Sequence, residues 1–133
     1  MPIAARHQQT PLELVPPTAG ETTSAILTYL TLQGFAVWRQ NTTGIYDAKV
    51  GRYRSNPQGR RGVPDIIGFR KSDGVFIGVE VKAGRDQLRP EQKHFLDELK
   101  AAGGLAFVAH SFDQFRESFE QRNSHRPITA ANV

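Results

Sequence analysis

Charge lies inside two strongly apolar stretches of this chain, between residues 60 and 84. The segment reads RRGVPDIIGFRKSDGVFIGVEVKAG, and it places Asp65, Glu80 and Lys82 within or beside runs of β-branched and aromatic residues. An unpaired charge buried in a strand is strongly destabilising, whereas a charge that is paired or bound to a metal is tolerated. Any fold of this chain must therefore supply partners for these three side chains.

The two apolar runs are predicted to be neighbouring antiparallel strands. The runs DIIGF and VFIGVEV are separated by RKSDG, and Asp-Gly between two such runs is a strong hairpin signal. Because strand side chains alternate between faces, Glu80 and Lys82 share one face, and the hairpin brings Asp65 within reach of it. Gly78 lies on the same face, where a missing side chain leaves space for a ligand to approach.

Two carboxylates on one sheet face repel each other unless a proton or a cation lies between them. Oxygen ligands alone favour Mg²⁺ or Mn²⁺, so Asp65 and Glu80 predict a divalent metal site. Lys82 would place a compact cation beside a phosphate oxygen or an attacking water. The alternative is structural, since the same three groups could form a buried ion network without a metal.

The composition excludes several other kinds of site. The chain of 133 residues contains no cysteine, which excludes thiolate catalysis, disulfides and cysteine zinc sites. Its 4 histidines are scattered without ligand spacing. The start, MPIAARHQQT, lacks the apolar stretch of a secretory signal, and no apolar run approaches the roughly 20 residues of a spanning helix. We therefore expect a cytoplasmic protein without a membrane partner.

Net charge is concentrated in residues 41 to 63. Five basic side chains stand there against one acid, Asp47, a balance of +4 that equals the net charge of the whole chain. The five are Lys49, Arg52, Arg54, Arg60 and Arg61. Such a cluster favours a polyanion such as DNA, and its glycines, proline and tyrosines indicate a loop or ribbon along the phosphates. The alternative is a solvated loop with incidental arginines.

Helical and strand patterns alternate over the rest of the chain. A first helix is predicted over residues 21 to 33, with Gly34 as its stop, and FAVWRQ follows as a strand. Pro90 opens a second helix that ends at Gly103, and LAFVAHS is the next strand. Ser111 is the predicted cap of a last helix.

This pattern predicts one α/β domain. The domain is expected over residues 20 to 121. A proline-containing N-terminal arm or tail would precede it over residues 1 to 19, and a polar C-terminal tail would follow over residues 122 to 133.

The order of these motifs resembles the PD-(D/E)XK nuclease superfamily and, within it, the VRR-NUC (virus-type replication-repair nuclease) family. The resemblance lies in RRGVPDIIGF, GVEVKAG and LRPEQKHFLDELKAAGGLAFV, and it extends more loosely to the helix at Glu21. It covers roughly residues 21 to 115. It implies a restriction-endonuclease-like α/β core, in which a mixed central sheet of four strands is flanked by helices.

The resemblance also implies roles for individual residues. Asp65 and Glu80 would bind Mg²⁺, for which Mn²⁺ can substitute, together with the backbone carbonyl of Val81. Lys82 would orient or activate the water that attacks the phosphate. The substrate would be DNA.

Two further catalytic candidates, Gln92 and Glu21, have structural alternatives. Gln92 matches a helix glutamine that lies close to the family's active site, but an amide in a first turn also satisfies free backbone groups. Glu21 matches a first-helix acid near the metal, but the helix dipole favours an acid there in any protein. Arg89 departs from the family, in which a small hydroxyl residue often precedes Pro-Glu-Gln. We expect this departure to affect the helix cap and not the chemistry.

The sequence therefore predicts a Mg²⁺-dependent DNA endonuclease. Compact members of the family resemble junction-resolving enzymes, which implies a homodimer that cuts branched DNA, such as four-way (Holliday) junctions, during DNA repair. One alternative is an inactive relative that only binds nucleic acid through its arginines, and metal-dependent cleavage would separate it. The other is a restriction-type endonuclease, which would prefer one short sequence over branched structure.

Overall fold

Three helices and six strands form in the part of the chain that the computed structural model describes, which is residues 15–40, 45–54 and 58–124. The helices are α1 (Ala19–Leu32), α2 (Pro90–Ala101) and α3 (Phe112–Ser124). The strands are β1 (Phe35–Arg39), β2 (Ile45–Asp47), β3 (Arg52–Arg54), β4 (Ile66–Arg70), β5 (Phe76–Val81) and β6 (Leu105–Ala109). The predicted α/β class is confirmed.

Four of the strands form one mixed sheet in the order β1-β4-β5-β6. Strand β4 pairs antiparallel with both β1 and β5, whereas β5 and β6 run parallel. The predicted hairpin is therefore confirmed, with Ile66 opposite Val79 and Phe69 opposite Phe76. Strands β2 and β3 form a separate two-stranded antiparallel ribbon inside the basic segment.

Helix α1 begins two residues earlier than predicted because a capping box precedes it. The Thr18 hydroxyl accepts from the Glu21 N–H at 3.1 Å, and the Glu21 carboxylate accepts from the Thr18 N–H at 2.8 Å. These bonds satisfy two backbone donors that the first turn would otherwise leave free. The predicted stop is confirmed, since Gly34 takes a φ of +91° that other residues rarely adopt.

The other helix boundaries follow their predicted signals. Pro90 is the first residue of α2, and Gly103, with a φ of +94°, lies just beyond its end. The Ser111 hydroxyl accepts from the Gln114 N–H at 3.1 Å and caps α3. Helix α3 continues through Ser124, while most of the expected arm and tail lies outside the described residues.

Helices α1 and α3 pack on one face of the sheet and form the main core with it. Its buried members are Ile26, Leu30, Phe35, Ile66, Ile77, Val79, Phe107, Ala109, Phe115 and Phe119. Phe119 lies at the centre of the aromatic contacts, with the rings of Tyr29 and Phe35 both 5.6 Å away in edge-to-face orientation. Such pairs add to the stabilisation that burial provides.

Helix α2 covers only part of the opposite face, over β5 and β6. Leu96 is buried on this side. On the same face β1 and β4 carry exposed apolar side chains, including Trp38 at 46% exposure and Phe69, which lies beside the exposed Phe76 of β5. Across the described ranges, no helix combines the length and the apolar character needed to cross a membrane.

Replacing Phe119 with alanine tests the aromatic core. The change removes a fully buried ring and leaves a cavity between α1, α3 and the sheet, so we expect the free energy of unfolding to fall by about 3–5 kcal/mol. Leu32→Ala is the control, since Leu32 is exposed at the end of α1 and should change stability by less than about 0.5 kcal/mol. Urea denaturation of both variants measures the difference, and equal midpoints would contradict this packing.

Candidate active site

Asp65 and Glu80 meet at one end of the sheet, on the face that α2 partly covers. Asp65 directly precedes β4, and Glu80 lies near the end of β5, so the antiparallel register brings the two opposite each other. The Asp65 Oδ2 accepts from the Val81 N–H at 2.8 Å. The Gln40 N–H donates to the Asp65 carbonyl at 2.7 Å. Bonds from both neighbouring strands therefore fix the position of the aspartate.

Glu80 is buried, with only 3% of its surface exposed. The pKa of this carboxyl is raised to about 8, chiefly by burial and additionally by a hydrogen bond with Asp65 and by the charge of Asp65. The Glu80 Oε2 is buried without a hydrogen-bond partner among the described residues. Near neutral pH in the metal-free protein, Glu80 therefore keeps its proton, and this removes the charge repulsion between the two carboxyl groups.

The donor set suits a hard divalent cation. Two carboxyl groups and nearby backbone carbonyls offer only oxygen ligands, and the unpartnered Oε2 has a lone pair free to coordinate. Within the described ranges there is no group of three or more histidine, cysteine or acidic side chains that could hold a metal. An ion bound here would take its other ligands from the backbone, water or a phosphate, a pattern typical of Mg²⁺.

Two cationic side chains influence the carboxyl pair. Lys82 follows Glu80 on the same face, and its N–H donates to the Ala109 carbonyl at 2.9 Å, which continues the pairing of β5 with β6. Its charge opposes the rise in the pKa of Glu80, and so does the charge of Arg89. Arg89, at the start of α2, therefore acts on the site electrostatically, while the expectation that it leaves the chemistry unaffected stays a prediction.

Gln92 is buried in the first turn of α2 and acts there as a cap. Its Oε1 accepts from the Arg89 N–H at 2.9 Å. Arginine has no side-chain acceptor, so Arg89 cannot complete the reciprocal half of a capping box. Gln92 therefore satisfies a free backbone N–H at the start of α2, which is the structural alternative considered for it. Its catalytic role remains a prediction.

Glu21 is exposed at the N-terminus of α1, where hydrogen bonds from Thr18 lower the pKa of its carboxyl. The structure does not bring Glu21 into a three-membered acidic group with Asp65 and Glu80 in the described residues. Its carboxylate is engaged with the helix start instead.

Gly78 does not leave open space on the charged face, contrary to the sequence-based expectation. A Cβ at this position would lie 3.0 Å from the Pro64 ring and 3.1 Å from the Leu99 side chain. The glycine therefore lets α2 and the segment before β4 pack closely on β5. A ligand must reach Glu80 from another direction.

A groove opens at the ends of β5 and β6. It has a volume of about 660 Å³, and its lining includes Arg85, Asp86, Leu88, Val108 and His110. Val108 is the register partner of Glu80 on the neighbouring strand, but the groove lining includes neither carboxyl of the pair. Sequence patterns had not singled out these residues, because they come together only through the β5–β6 pairing.

The five basic residues predicted to contact DNA lie in two places. Lys49 is in the turn of the β2–β3 hairpin, and Arg52 and Arg54 are on β3. Arg60 and Arg61 lie in the segment that leads to β4. The basic residues therefore form two groups, one on the β2–β3 ribbon and one in the segment just before Asp65.

Two of these arginines are already paired within the protein. Arg60 forms an ion pair with Glu98 of α2, and its guanidinium lies 4.6 Å from the centre of the Phe95 ring. Arg54 lies 3.5 Å from Asp47 across the ribbon. The other three basic side chains are exposed.

The raised pKa of Glu80 predicts how stability depends on pH in the absence of metal. Below the ordinary value of 4.5 the carboxyl is protonated in both states, but between 4.5 and about 8 only the folded protein keeps the proton. The free energy of unfolding should therefore fall as pH rises through this window, by up to about 1.4 kcal/mol per pH unit. Urea denaturation with a chelator, at several pH values in this window, measures the slope.

The matched control for this slope is Glu80→Gln, which keeps the shape and cannot ionise. The variant should lack the part of the pH dependence that comes from Glu80. Its free energy of unfolding should therefore exceed that of the wild type toward the upper end of the pH window. Identical pH dependence of the two proteins would show that Glu80 ionises freely in the folded state.

Comparison with known protein families finds one domain model that covers most of the chain. The VRR-NUC domain model matches residues 18–113, which include α1, the four-stranded sheet, α2 and the carboxyl pair. No curated protein matches the chain. The mixed sheet flanked by helices is consistent with the PD-(D/E)XK-like fold that the motifs implied. The chain belongs to the VRR-NUC family, and its domain has a nuclease-type function on DNA.

Proposed function

We propose that the protein is a Mg²⁺-dependent endonuclease that hydrolyses phosphodiester bonds in DNA, and that Mn²⁺ can replace Mg²⁺. The observation that carries this proposal is the buried carboxyl of Glu80 beside Asp65, with Oε2 unpartnered among the described residues. A buried carboxyl with a raised pKa lowers the free energy of unfolding near neutral pH. Groups with such shifted pKa values cluster at functional sites.

The same observation weighs against an inactive binding module. A purely structural ion network would be expected to satisfy the lone pairs of its buried carboxylate, because unmet hydrogen-bonding capacity is costly. Glu80 Oε2 does not meet that expectation within the described residues. A cation would supply the missing partner.

Each member of the site has a proposed task. Asp65, Glu80 and the Val81 carbonyl would hold the metal, which supplies Lewis-acid activation of the phosphate and of water when bound. Glu80 would give up its proton as the cation arrives, since like charges then have a counter-ion between them. Lys82 would orient the attacking water and offset the negative charge that develops on the phosphate. Gln92 and Glu21 remain proposed neighbours of the reaction through family similarity.

Electrostatics support a path for the DNA backbone toward this site. Arg61 is exposed in the segment before Asp65, and Arg60 is held against α2 by Glu98 and Phe95. A fixed guanidinium can position a phosphate with a smaller loss of side-chain entropy than a mobile one. The basic ribbon, with Lys49, Arg52 and Arg54, would bind the phosphates of a more distant part of the substrate.

We further propose branched DNA, such as four-way junctions, as the substrate and a homodimer as the active form. The described part of the chain carries the carboxyl pair of Asp65 and Glu80 once, whereas symmetrical cutting of a junction needs two active sites. The exposed apolar side chains Trp38, Phe69 and Phe76 form a sheet surface that a second copy would bury. DNA repair is the setting that this substrate implies.

Removing either carboxylate should abolish cleavage and leave DNA binding largely intact. Glu80→Gln and Asp65→Asn each remove one ligand charge with little change in volume. End-labelled linear, flap, single-stranded and four-way DNA, incubated with Mg²⁺ or Mn²⁺, would measure cleavage and substrate preference together. Asp97→Asn is the control, because Asp97 is exposed on α2 and pairs with Lys93. Cleavage that persists in either site variant would refute the proposed centre.

Replacing Lys82 with methionine should separate metal binding from turnover. Methionine keeps the aliphatic stem but removes the cation, so Mg²⁺ should still bind while the rate falls by orders of magnitude. Lys93→Met, on the exposed side of α2, should leave both properties unchanged. Calorimetric titration and single-turnover cleavage measure the two quantities, and a fully active Lys82→Met protein would mean that Lys82 is structural.

A further inference from the structure

The β2–β3 hairpin exposes two aromatic rings side by side. Tyr46 and Tyr53 are direct cross-strand partners, and their ring centres lie 5.2 Å apart in edge-to-face orientation. They are 54% and 60% exposed, and Val50 in the connecting turn is also exposed. The two strands pair with each other and not with the four-stranded sheet. The hairpin therefore presents an aromatic surface to whatever approaches it.

Cations occupy the other face of the same hairpin. Alternation along β3 puts Arg52 and Arg54 on the face opposite Tyr53. Arg54 pairs with Asp47 at 3.5 Å, whereas Arg52 is exposed, as is Lys49 in the turn. Over residues 45–54, three basic side chains stand against one acidic side chain, which is a balance of +2.

Exposed aromatic rings and cations on the two faces of one small hairpin match the chemistry of unpaired nucleotides. Bases stack on exposed aromatic faces regardless of their identity, and the connecting phosphates favour nearby lysine and arginine. A base inside continuous duplex is stacked on both sides and has no face to offer. An acidic protein would satisfy the cations but would leave the two rings without a matching surface.

We infer that the β2–β3 hairpin is a binding site for unpaired bases of DNA, which stack on Tyr46 and Tyr53. This inference rests on the proposed action on DNA and deepens it, because it names the part of a branched substrate that the hairpin recognises. Single-stranded gaps, flaps and opened branch points contain such bases. The hairpin would then select these structures over continuous duplex.

The test compares binding to three DNAs of equal length, namely a duplex, the same duplex with a short single-stranded gap, and a single strand. Fluorescence anisotropy with the full chain and a chelator keeps the DNA uncut. The wild type should bind the gapped DNA about tenfold or more tightly than the duplex. Tyr46→Leu/Tyr53→Leu should lose most of that preference while its affinity for duplex stays near the wild-type value.

Three control variants separate stacking from other effects. Tyr46→Phe/Tyr53→Phe keeps both rings and should keep the preference, which also guards against loss of the hairpin in the leucine variant. Val50→Thr removes an exposed apolar group from the same hairpin and should change nothing. Arg52→Gln should weaken binding to all three DNAs alike and make the salt dependence shallower.

Several outcomes would overturn the inference. They are a wild type that binds gapped and duplex DNA equally, a leucine variant that keeps the preference, and a phenylalanine variant that loses it. A leucine variant whose main defect is a changed sedimentation coefficient would assign the aromatic surface to a second copy of the chain. Binding is measured without metal, so it is independent of cleavage. A protein that prefers gapped DNA in this assay but never cleaves it when Mg²⁺ or Mn²⁺ is supplied would refute the proposed nuclease and retain this site.

Discussion

Two carboxyl groups that lie close together in a buried position cannot both be ionised without a counter-charge. Asp65 and Glu80 are such a pair. The hairpin register sets them opposite each other, and the Val81 N–H fixes Asp65 in place. Without metal, a proton on Glu80 relieves the repulsion. The proposed activity depends on exchanging that proton for a cation, so the same feature that lowers stability prepares the site for binding.

The rest of the fold holds this pair in position. The aromatic core under α1 and α3 supplies most of the buried apolar surface on one face of the sheet. The other face carries charge at the end of β5, and Arg89 at the start of α2 acts electrostatically on Glu80 there. Gly78 allows the close approach, because Pro64 and Leu99 occupy the space that a side chain would need. The main core and the proposed active site thus lie on opposite faces of one sheet.

Sequence reasoning predicted what depends on local signals. Strand alternation placed Asp65 and Glu80 together, and the proline, glycine and serine signals located the helix ends. The pairing of Arg60 with Glu98 was not predictable, because contacts between distant segments leave no periodic pattern. The filled space at Gly78, the influence of Arg89 and the groove lining depend on the same kind of contact. Strands of three residues are also too short for alternation to reveal the aromatic hairpin.

Calorimetric titration of Mg²⁺ into the metal-free protein at neutral pH, in two buffers of different ionisation enthalpy, tests the central claim most directly. Because Glu80 starts protonated, metal binding should release about one proton, seen as a buffer-dependent heat. Glu80→Gln should bind more weakly and release none. If the wild type binds neither Mg²⁺ nor Mn²⁺, even with uncleavable DNA present, the carboxyl pair is not a metal centre and the account is wrong.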